Sequence, residues 1–429
     1  MNRTSAAVLA ALALIPAAQA QVAVLVTDRA NDSIWLLTDT NGNGMIDEPG
    51  EVRLFFSGAN AAGTPATLNP NTIAARADGY VVVGDQDVGF IASLYDANCD
   101  GDAQDAGESR VIAGAGNAAG VSFAFPTGAA FDSAGRLHIV NAGNAFGNDV
   151  IFRLVDLNAD GDMMDAGEIT EYVGVPFFGP GNGPYSPQEI LFDPEDGLYL
   201  RNSSANLHGV FQFHDVNGNG RADDPGESSL FFGAGNLSGI TLSAGFAIEI
   251  SPDFSYGYMH QLATGSADQI IRLENLNDDE DMQDAGEAQV AFSTTEAGFT
   301  SVDILALPDS TVLFSDNSGL RIIALRDLDG DGLFLAANER TTWFANTSGL
   351  LGAVRNLSLY RPPTCGPTCD GDVNCDGAVN GVDVEIQEQA VGGDLADYCL
   401  PDADFNQDGA VNGTDVEAVE LVVGGGPCP

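Results

Sequence analysis

Lysine is absent from this 429-residue chain, so its 15 basic residues are all arginines, and 62 Asp and Glu bring the formal net charge to −47. So acidic a chain argues against nucleic acid and anionic membranes as partners, because both are bound through basic side chains. Histidine is scarce, with four residues, and no G-x-S-x-G, H-E-x-x-H or P-loop motif occurs. The common catalytic signatures are therefore missing.

Long hydrophobic runs are missing as well. The one candidate, residues 6–18, is interrupted by Pro16 and is too short to span a bilayer. With Arg3 before it and a small-x-small site at 18–20 after it, this segment has the features of a signal peptide. We therefore expect residues 1–20 to be removed and the protein to be secreted, with no membrane insertion, where disulfides can form.

The rest of the composition is that of a folded protein. Hydrophobic residues make up 44% of the chain and charged residues only 18%, which is enough apolar material for a core. The 52 glycines predict many turns. The length suits two or three domains, or one repeat architecture with a small additional module.

A 13-residue acidic segment recurs along the chain. Four strict copies and two weaker ones begin 52 to 60 residues apart, and we number them loops 1 to 6: residues 39–51, 96–108, 156–168, 215–227, 275–287 and 327–339. A nearly constant spacing of this size is the signature of a repeat architecture.

The segments between the loops have the pattern of β-strands. In the third repeat, short runs rich in β-branched and aromatic residues lie at 128–132, 137–140, 149–155 and 169–173, with loop 3 joining the last two. The first repeat lacks its first strand, and an unpartnered run at 353–360 follows the sixth repeat. If that run supplies the missing strand, six four-stranded sheets close into a ring. We therefore predict an all-β fold, a six-bladed β-propeller over residues 21–361.

The turn phrase at residues 126–140 resembles bacterial propellers of the NHL and SMP-30 type. The loops also resemble those of calcium-binding B-type repeats in bacterial adhesins, which would make the chain a string of β-sandwiches. A sandwich needs about a hundred residues, and a repeat of this length cannot build one alone. The repeat length favours the propeller.

Oxygen-bearing side chains occupy fixed positions in loops 1 to 4. Alternate Asp or Asn residues at positions 1, 3 and 5, a Gly at position 6 and a Glu at position 13 predict a calcium site, since Ca²⁺ takes six to eight oxygen ligands. The alternative is that these are ordinary Asn-Gly and Asp-Gly hairpin turns, but four copies with the Glu in register favour the metal. The predicted ligands are Asp39, Asn41, Asn43 and Glu51; Asp96, Asn98, Asp100 and Glu108; Asp156, Asn158, Asp160 and Glu168; and Asp215, Asn217, Asn219 and Glu227.

Loops 5 and 6 are degraded. Loop 5 has Glu280 in place of the glycine, and loop 6 has Ala336 where other copies carry an acid. We expect weak or empty sites there. In the intact copies, carboxylates crowded into one loop repel each other unless a cation lies among them. We therefore expect stability to depend on free calcium.

The composition changes after Tyr360. Residues 362–368 read as a stiff linker, and two matched loops at 372–383 and 404–415 follow in a module that we place at 369–429. Each has EF-hand spacing with Asp instead of Glu at position 12, and each runs into an apolar segment expected to be a short helix, at 384–391 and 416–423.

This duplicated loop and helix resembles a type I dockerin over residues 369–426. The resemblance implies calcium-dependent folding and docking to a cohesin, often to attach polysaccharide-degrading enzymes to a scaffold. The calcium ligands it implies are Asp372, Asn374, Asp376, Asn380 and Asp383, and Asp404, Asn406, Asp408, Asn412 and Asp415.

The recognition positions depart from that resemblance. Dockerins that bind cohesins commonly have a hydroxyl-bearing pair at loop positions 10 and 11, where this chain has Gly381 with Val382, and Gly413 with Thr414. This puts a cohesin partner in doubt. The alternative is a calcium-stabilised tail that protects or anchors the C-terminus.

Five of the six cysteines lie between residues 365 and 428, as expected for a module too small to hold itself by a core. The dockerin resemblance implies a disulfide between Cys375 and Cys399. Cys99 lies apart, inside loop 2, and a free thiol is one option for it.

Three functions are open. We favour an extracellular binding or adhesion module with a cell-surface or polysaccharide ligand. The alternatives are a dockerin-borne enzyme of extracellular polysaccharide catabolism, as a glycoside hydrolase or lactonase-like propeller, and a structural matrix component. Glu189, Asp303 and Arg355 fall at similar positions at the start of innermost strands, where they could surround the channel. A convergent carboxylate pair there would favour an enzyme, but no catalytic residue is assigned, and rim charges are the preferred interpretation.

Overall fold

The computed structural model describes residues 22–58, 60, 68–143, 149–178, 185–204, 207–251, 256–263, 267–277, 279, 281–294, 300–363, 371–375, 378–396, 398–399, 403–405 and 410–424. The expected signal peptide, and the expected ligands Asp376, Asn406 and Asp408, lie outside these residues. The chain divides into a large unit, Met1–Ala97 with Gly101–Pro362, and a small unit, Asn98–Asp100 with Pro363–Pro429.

The large unit consists of six four-stranded antiparallel sheets, which we number as blades 1 to 6. In blades 1 to 3 the strands are β1 (Ala23–Asp28), β2 (Ser33–Thr38) and β3 (Val52–Ser57); β4 (Pro70–Ala75), β5 (Val81–Asp85), β6 (Ile91–Leu94) and β7 (Ser109–Ala113); and β8 (Pro126–Phe131), β9 (Leu137–Asn141), β10 (Val150–Leu154) and β11 (Ile169–Val173).

Blades 4 to 6 repeat the arrangement, and β24 completes blade 1. The strands are β12 (Pro187–Phe192), β13 (Leu198–Asn202), β14 (Gly209–Phe213) and β15 (Ser228–Gly233); β16 (Ile248–Ile250), β17 (Gly257–Ala263), β18 (Ala267–Leu273) and β19 (Ala288–Thr294); β20 (Ser301–Ala306), β21 (Val312–Asp316), β22 (Arg321–Leu325) and β23 (Arg340–Ala345); and β24 (Leu357–Tyr360).

The ring closes through β24, which pairs with β1 so that Tyr360 lies opposite Ala23 and Leu357 opposite Val26. This confirms the predicted propeller and its closing strand. The strand is shorter than the predicted run, however. The Asp28 carboxylate accepts hydrogen bonds of 2.8 Å from the backbone N–H groups of Gly352 and Ala353, which holds that part of the chain in a turn.

The second and third strands of each blade are buried on both faces, because each blade packs between two neighbours. Every residue of β5, β9, β13, β14 and β21 is buried. The fourth strands contain both buried and exposed residues, as expected at a solvated edge. Apolar packing between blades therefore fixes the scaffold from which the loops project.

The small unit contains two helices, α2 (Gly381–Val391) and α3 (Gly413–Val423); a single-turn helix, α1 (Val175–Phe178), belongs to the large unit. Both helices begin three residues before the predicted segments. Asn380 and Asn412 act as N-caps, and each forms a capping box with the Asp three residues later. The helices pack on a small core of Val373, Ile386, Phe405, Ala418 and Val419.

Candidate functional site

The six acidic loops share a closing glutamate. Each loop joins the third and fourth strands of its blade, and the glutamate at position 13 is at most 5% exposed: Glu51, Glu108, Glu168, Glu227, Glu287 and Glu339. In loop 3, Oε1 of Glu168 accepts a hydrogen bond from the N–H of Leu157 and Oε2 accepts one from Asp165, both 2.9 Å long. The same two bonds, from position 2 or 3 and from position 10, recur in all six loops.

These bonds close the hairpin at its base. Burial raises the pKa of Glu51, but hydrogen bonds from the amides of Glu48, Asp47 and Thr40 outweigh that effect and lower the pKa overall. The predicted bidentate calcium ligand is therefore also a hydrogen-bond acceptor for the loop backbone. In loop 1 both roles compete, because Oε1 of Glu51 accepts two bonds from Thr40 and Oε2 accepts one each from Asp47 and Glu48, so a cation would have to displace one of them.

The first aspartate shapes the other end of the loop. Oδ2 of Asp39, Asp96, Asp156, Asp215 and Asp327 accepts a hydrogen bond of 2.8–3.0 Å from the N–H of the glycine at position 6. That glycine has a φ between 79° and 93°, in the region that side chains disfavour. Carboxylate, glycine turn and closing glutamate thus form one hydrogen-bonded unit.

The asparagine at position 3 offers its nitrogen to this unit. Nδ2 of Asn158 donates to Asp165 at 2.6 Å, and Asn217 and Asn277 make the equivalent bonds to Asp224 and Asp284. Turning the amide by half a turn would present its oxygen instead, as a calcium ligand requires. In loops 3, 4 and 5 the asparagine therefore needs this rotation before its oxygen can bind a cation.

Loops 5 and 6 bring their carboxylates closest together. Oxygens of Asp279, Asp281 and Glu287 lie within 4.8 Å of one another, and so do those of Asp327, Asp329 and Glu339. In the described part of the chain no other group of three acidic side chains comes as close. The sequence predicts weak or empty sites here, and that expectation stays untested.

Five loops receive an arginine from the preceding blade, which the sequence reasoning missed. A Cβ placed on Gly220 would lie 2.6 Å from Nη2 of Arg153, so the glycine leaves room for a guanidinium. The same contact joins Gly44 to Arg326, Gly101 to Arg53, Gly161 to Arg110 and Gly332 to Arg272. In loop 3, Arg110 donates to the carbonyl of Asp160 and pairs with Asp162 at 2.6 Å.

This use of arginine accounts for a third of the basic residues in the chain. The signal was present in the sequence, because each arginine lies one or three residues before a loop or two residues after one. It could not be assigned from sequence, since its partner lies in the next blade. The arginines supply part of the positive charge that the acidic loops need.

Side chains on the innermost strands form a second ring, around the channel. In each blade one such side chain bonds to the backbone of the next innermost strand. The six bonds join Asn71 to Pro126, Thr127 to Pro187, Glu189 to Ile248, Glu249 to Ala306, Asp303 to Leu357 and Ser358 to Ala75. This ring of joints links the innermost strands all the way round.

Three consecutive joints use carboxylates. Asp303 is buried, and Glu189 and Glu249 are half-buried. Burial raises the pKa of Glu249 to about 7 and of Asp303 to about 8, and burial together with the Asp303 charge raises the pKa of Glu189 well above its usual range. Glu189 and Asp303 interact directly, and their hydrogen bond raises the pKa of Glu189 and lowers that of Asp303.

These contacts can be compared with the prediction that Glu189, Asp303 and Arg355 surround the channel. Glu189 and Asp303 do converge, and they are joined by Glu249 on the three-residue strand β16, which the sequence reasoning missed. Arg355 does not take part: it precedes β24, and burial lowers its pKa. His138 and His260 are buried on β9 and β17, where burial lowers their pKa to about 3, in agreement with a packing role.

The small unit has a loop before each helix. Asp383 and Asp415, at position 12, are fully buried, and Oδ2 of each accepts a hydrogen bond from the N–H of the capping asparagine, at 2.8 and 2.7 Å. The other oxygen of Asp383 is also buried and has no hydrogen-bond partner among the described residues. A buried carboxylate oxygen left without a donor fits a cation ligand.

Residues 370–420 are a dockerin type I domain. The match confirms the resemblance, and dockerin domains of this type bind calcium and cohesin partners in general. Of the ten implied ligands, Asp372, Asn374, Asn380, Asp383, Asp404, Asn412 and Asp415 lie among the described residues.

The dockerin also contains the expected disulfide, between Cys375 and Cys399. The option of a free thiol at Cys99 is wrong, because Cys99 is itself disulfide-bonded. No helix among the described residues is long and apolar enough to cross a membrane.

The large unit is similar in fold to several solved propellers. TolB from Acinetobacter baumannii is 12% identical, with a TM-score of 0.49 over 79% of this chain and 66% of its own. Virginiamycin B lyase from Staphylococcus aureus is 14% identical, with 0.44 over 76% and 81%. An aldose sugar dehydrogenase from Streptomyces coelicolor is 13% identical, with 0.46 over 70% and 86%. A comparison with curated proteins finds no match.

Proposed function

We propose that this protein is an extracellular, calcium-binding propeller that acts as a binding or adhesion module and is attached to a cohesin-bearing partner through its dockerin. The observation that carries the proposal is the dockerin match at 370–420, together with the buried, unpartnered oxygen of Asp383 at a calcium-ligand position. The propeller contributes the surface that meets a cell-surface or polysaccharide ligand.

Calcium would be held at two kinds of site. In the dockerin the ligands are those implied by the family, including Asp372, Asn374, Asn380 and Asp383 in the first loop. In the propeller the predicted ligands are those at positions 1, 3, 5 and 13 of loops 1 to 4. Calcium would neutralise repulsion among their carboxylates and reinforce hairpins already closed by the glutamate.

Secretion is supported by chemistry from two places in the chain. The disulfide between Cys375 and Cys399 is typical of an oxidising compartment. Residues 1–20 have the sequence of a signal peptide. N-terminal sequencing of the exported protein tests this part, with Gln21 expected as the first residue.

Affinity capture on immobilised cohesins, with and without calcium, tests the attachment. We expect retention in calcium and release by EDTA, with Asp383→Ala abolishing retention. A variant at an exposed position of the large unit, Asp87→Asn, serves as the control and should be retained. If the calcium-loaded protein folds but no cohesin retains it, the dockerin is a calcium-stabilised tail and the proposed attachment is wrong.

A second candidate function is hydrolysis of a polysaccharide or a lactone. The observation that favours it is the carboxyl pair of Glu189 and Asp303, because two interacting carboxyl groups can divide general acid and general base roles. Neutral side chains make three of the six joints, so a joint does not require a carboxylate.

Turnover of polysaccharide and lactone panels by the wild type and by Glu189→Gln tests this candidate. Glutamine can still accept the bond from Ile248, so the variant keeps the joint and loses only the acid. A hydrolase would lose activity by a factor of about 100 or more. No turnover by the wild type, with the same ligands bound, leaves binding as the function.

A further inference from the structure

The boundary between blades 4 and 5 departs from the arginine pattern. We compare the residue on the third strand that lies three positions before the acidic loop of the same blade. This residue is Arg153 in blade 3 and Arg272 in blade 5, but Gln212 in blade 4. Blades 1 and 2 place their arginine opposite that position on the fourth strand, as Arg53 and Arg110. The opposite residue in blade 4 is Ser229, so this blade has no arginine at either position.

Loop 5, on the far side of this boundary, has lost the matching glycine. Glu280 replaces it in the sequence and lies outside the described residues. The described carboxylates of loop 5, from Asp279, Asp281 and Glu287, have oxygens within 4.8 Å of one another. Both halves of the arginine contact have therefore changed together, and the change leaves acidic groups close together.

A cavity of about 270 Å³ lies at this boundary. Gln212 lines it, as do Asn275 and Met282 of loop 5, the aromatic rings of Tyr199, Phe231 and Tyr256, and the rim acids Asp193 and Glu195. No described lining residue is basic. Ligand pockets for drug-sized molecules measure about 300–1,000 Å³, so this one suits a single side-chain-sized group.

The polar lining is already oriented. The Tyr199 hydroxyl accepts a hydrogen bond of 2.7 Å from Nε2 of Gln212 and donates one of 3.2 Å to Asp193. At the next boundary, Cζ of Arg272 lies 4.6 Å from the ring centroid of Tyr256, which also lines this cavity. Aromatic rings and carboxylates together favour a planar cation, because the rings attract its charge and the carboxylates accept its hydrogen bonds.

We propose that this cavity binds a guanidinium group from outside the blade, either on a free arginine-like molecule or on an arginine side chain of a polypeptide. The ligand takes the place that the protein's own arginines occupy at five other boundaries. The proposal is independent of calcium binding and of the dockerin, so it stands or falls separately from the proposed function.

Isothermal titration of the full chain in calcium provides the test, with L-arginine amide as the probe and L-citrulline amide as its neutral isostere. We expect saturable one-site binding of the arginine probe, with citrulline at least about tenfold weaker because it lacks the charge. Equal affinities for the arginine and citrulline amides would overturn the proposal. So would the absence of binding both by L-arginine amide and by the arginine peptide described next. A short blocked Gly-Arg-Gly peptide distinguishes the sources: tighter binding of the peptide indicates a polypeptide ligand, and weaker binding a free small molecule.

Gln212→Arg supplies the missing guanidinium from within and should abolish binding of the probe while raising the melting temperature. Gln289→Arg is the matched control, since it adds the same charge at an exposed position opposite Arg272, and it should bind as the wild type does. If Gln212→Arg fails to fold, Glu195→Gln on the rim replaces it and should weaken binding several-fold. If the folded variant, Gln212→Arg or Glu195→Gln, binds L-arginine amide as tightly as the wild type does, the proposed site is wrong. The site is also wrong if saturating calcium abolishes binding of the probe, because a metal would then occupy the cavity.

Discussion

The propeller and the dockerin close similar loops in different ways. Both use alternating Asp and Asn residues, a glycine at position 6 and a buried acid at the end. In the propeller, both oxygens of Glu168 are bonded to backbone amides of the loop. In the dockerin, Asp383 has one oxygen bonded to the N–H of Asn380, and the other is buried without a donor.

This difference separates two contributions that the sequence pattern presents as one. We expect a hairpin whose amides are satisfied by its own glutamate, between strands packed on neighbouring blades, to fold without a metal, although Oδ1 of Asp215 in loop 4 is buried without a partner among the described residues, as Oδ1 of Asp383 is. A small unit with a five-residue core depends more on its ions. Similar acidic motifs therefore imply different degrees of calcium dependence.

Chelation should give the largest effect. We expect EDTA to unfold the dockerin while the propeller stays folded with a lower melting temperature, so that calorimetry resolves two transitions. Calcium at about 1,000 times its dissociation constant stabilises a single site by about 4 kcal/mol. Circular dichroism should show loss of the signal from α2 and α3. A single transition unaffected by EDTA, with no ion recovered, would remove the calcium account from both units.

Removing a closing glutamate should come next. Glu168→Ala leaves the amides of Leu157 and Asp165 without their charged acceptor, and we expect it to lower the free energy of unfolding of the propeller by about 2–4 kcal/mol. Glu168→Gln keeps one acceptor oxygen and should cost about half as much. Exposed Glu195→Ala is the control, expected to stay within about 0.5 kcal/mol. Urea unfolding measures all three, and equal stability of Glu168→Ala and the control would contradict the role of the glutamate.

The carboxylates of the channel predict a pH dependence that chelation should not change. The folded-state pKa is about 7 for Glu249 and about 8 for Asp303, above the ordinary values, so the folded protein binds protons that the unfolded chain releases. Their contribution is complete below about pH 4 and is lost as the pH rises through 7 and 8. We expect propeller stability, measured by urea unfolding, to fall by at least about 2 kcal/mol between pH 5 and pH 8.5.

Glu249→Gln sharpens this test, because it removes one of the titrating groups and leaves an acceptor for Ala306. The slope of stability against pH should become shallower in the variant. A wild-type stability that rises over the same interval would show that these carboxyl groups are ionised in the folded protein.

The sequence predicts the blades well because their signal is local. Short apolar strands, turns and the unpartnered run before Tyr360 are enough to predict six sheets and their closure, and the structure confirms them within a few residues at most ends. The helices of the dockerin start earlier than predicted, because Asn380 serves as an N-cap as well as a loop residue.

Contacts between blades could not be predicted in the same way. Arg153 and Gly220 are 67 residues apart, and neither position has a local pattern that identifies the other. The hydrogen bond between Glu249 and the N–H of Ala306 could not be predicted for a similar reason, since Ala306 lies in the next blade. The repeat makes these pairings periodic, yet their geometry emerges only when the ring is closed.

The smallest expected effect tests the arginine contact itself. Gly220 and Gly226 lie in the same loop with φ of 88° and 94°, so an alanine at either costs the same backbone strain, about 1 kcal/mol. A Cβ at Gly226 meets nothing within 4 Å, whereas one at Gly220 would lie 2.6 Å from Nη2 of Arg153. Gly220→Ala should therefore destabilise the propeller by about 1 kcal/mol more than Gly226→Ala in urea unfolding. In an Arg153→Ala background the two alanines should cost the same, because the guanidinium that distinguishes them is gone; a difference that persists would mean that the arginine does not need the glycine.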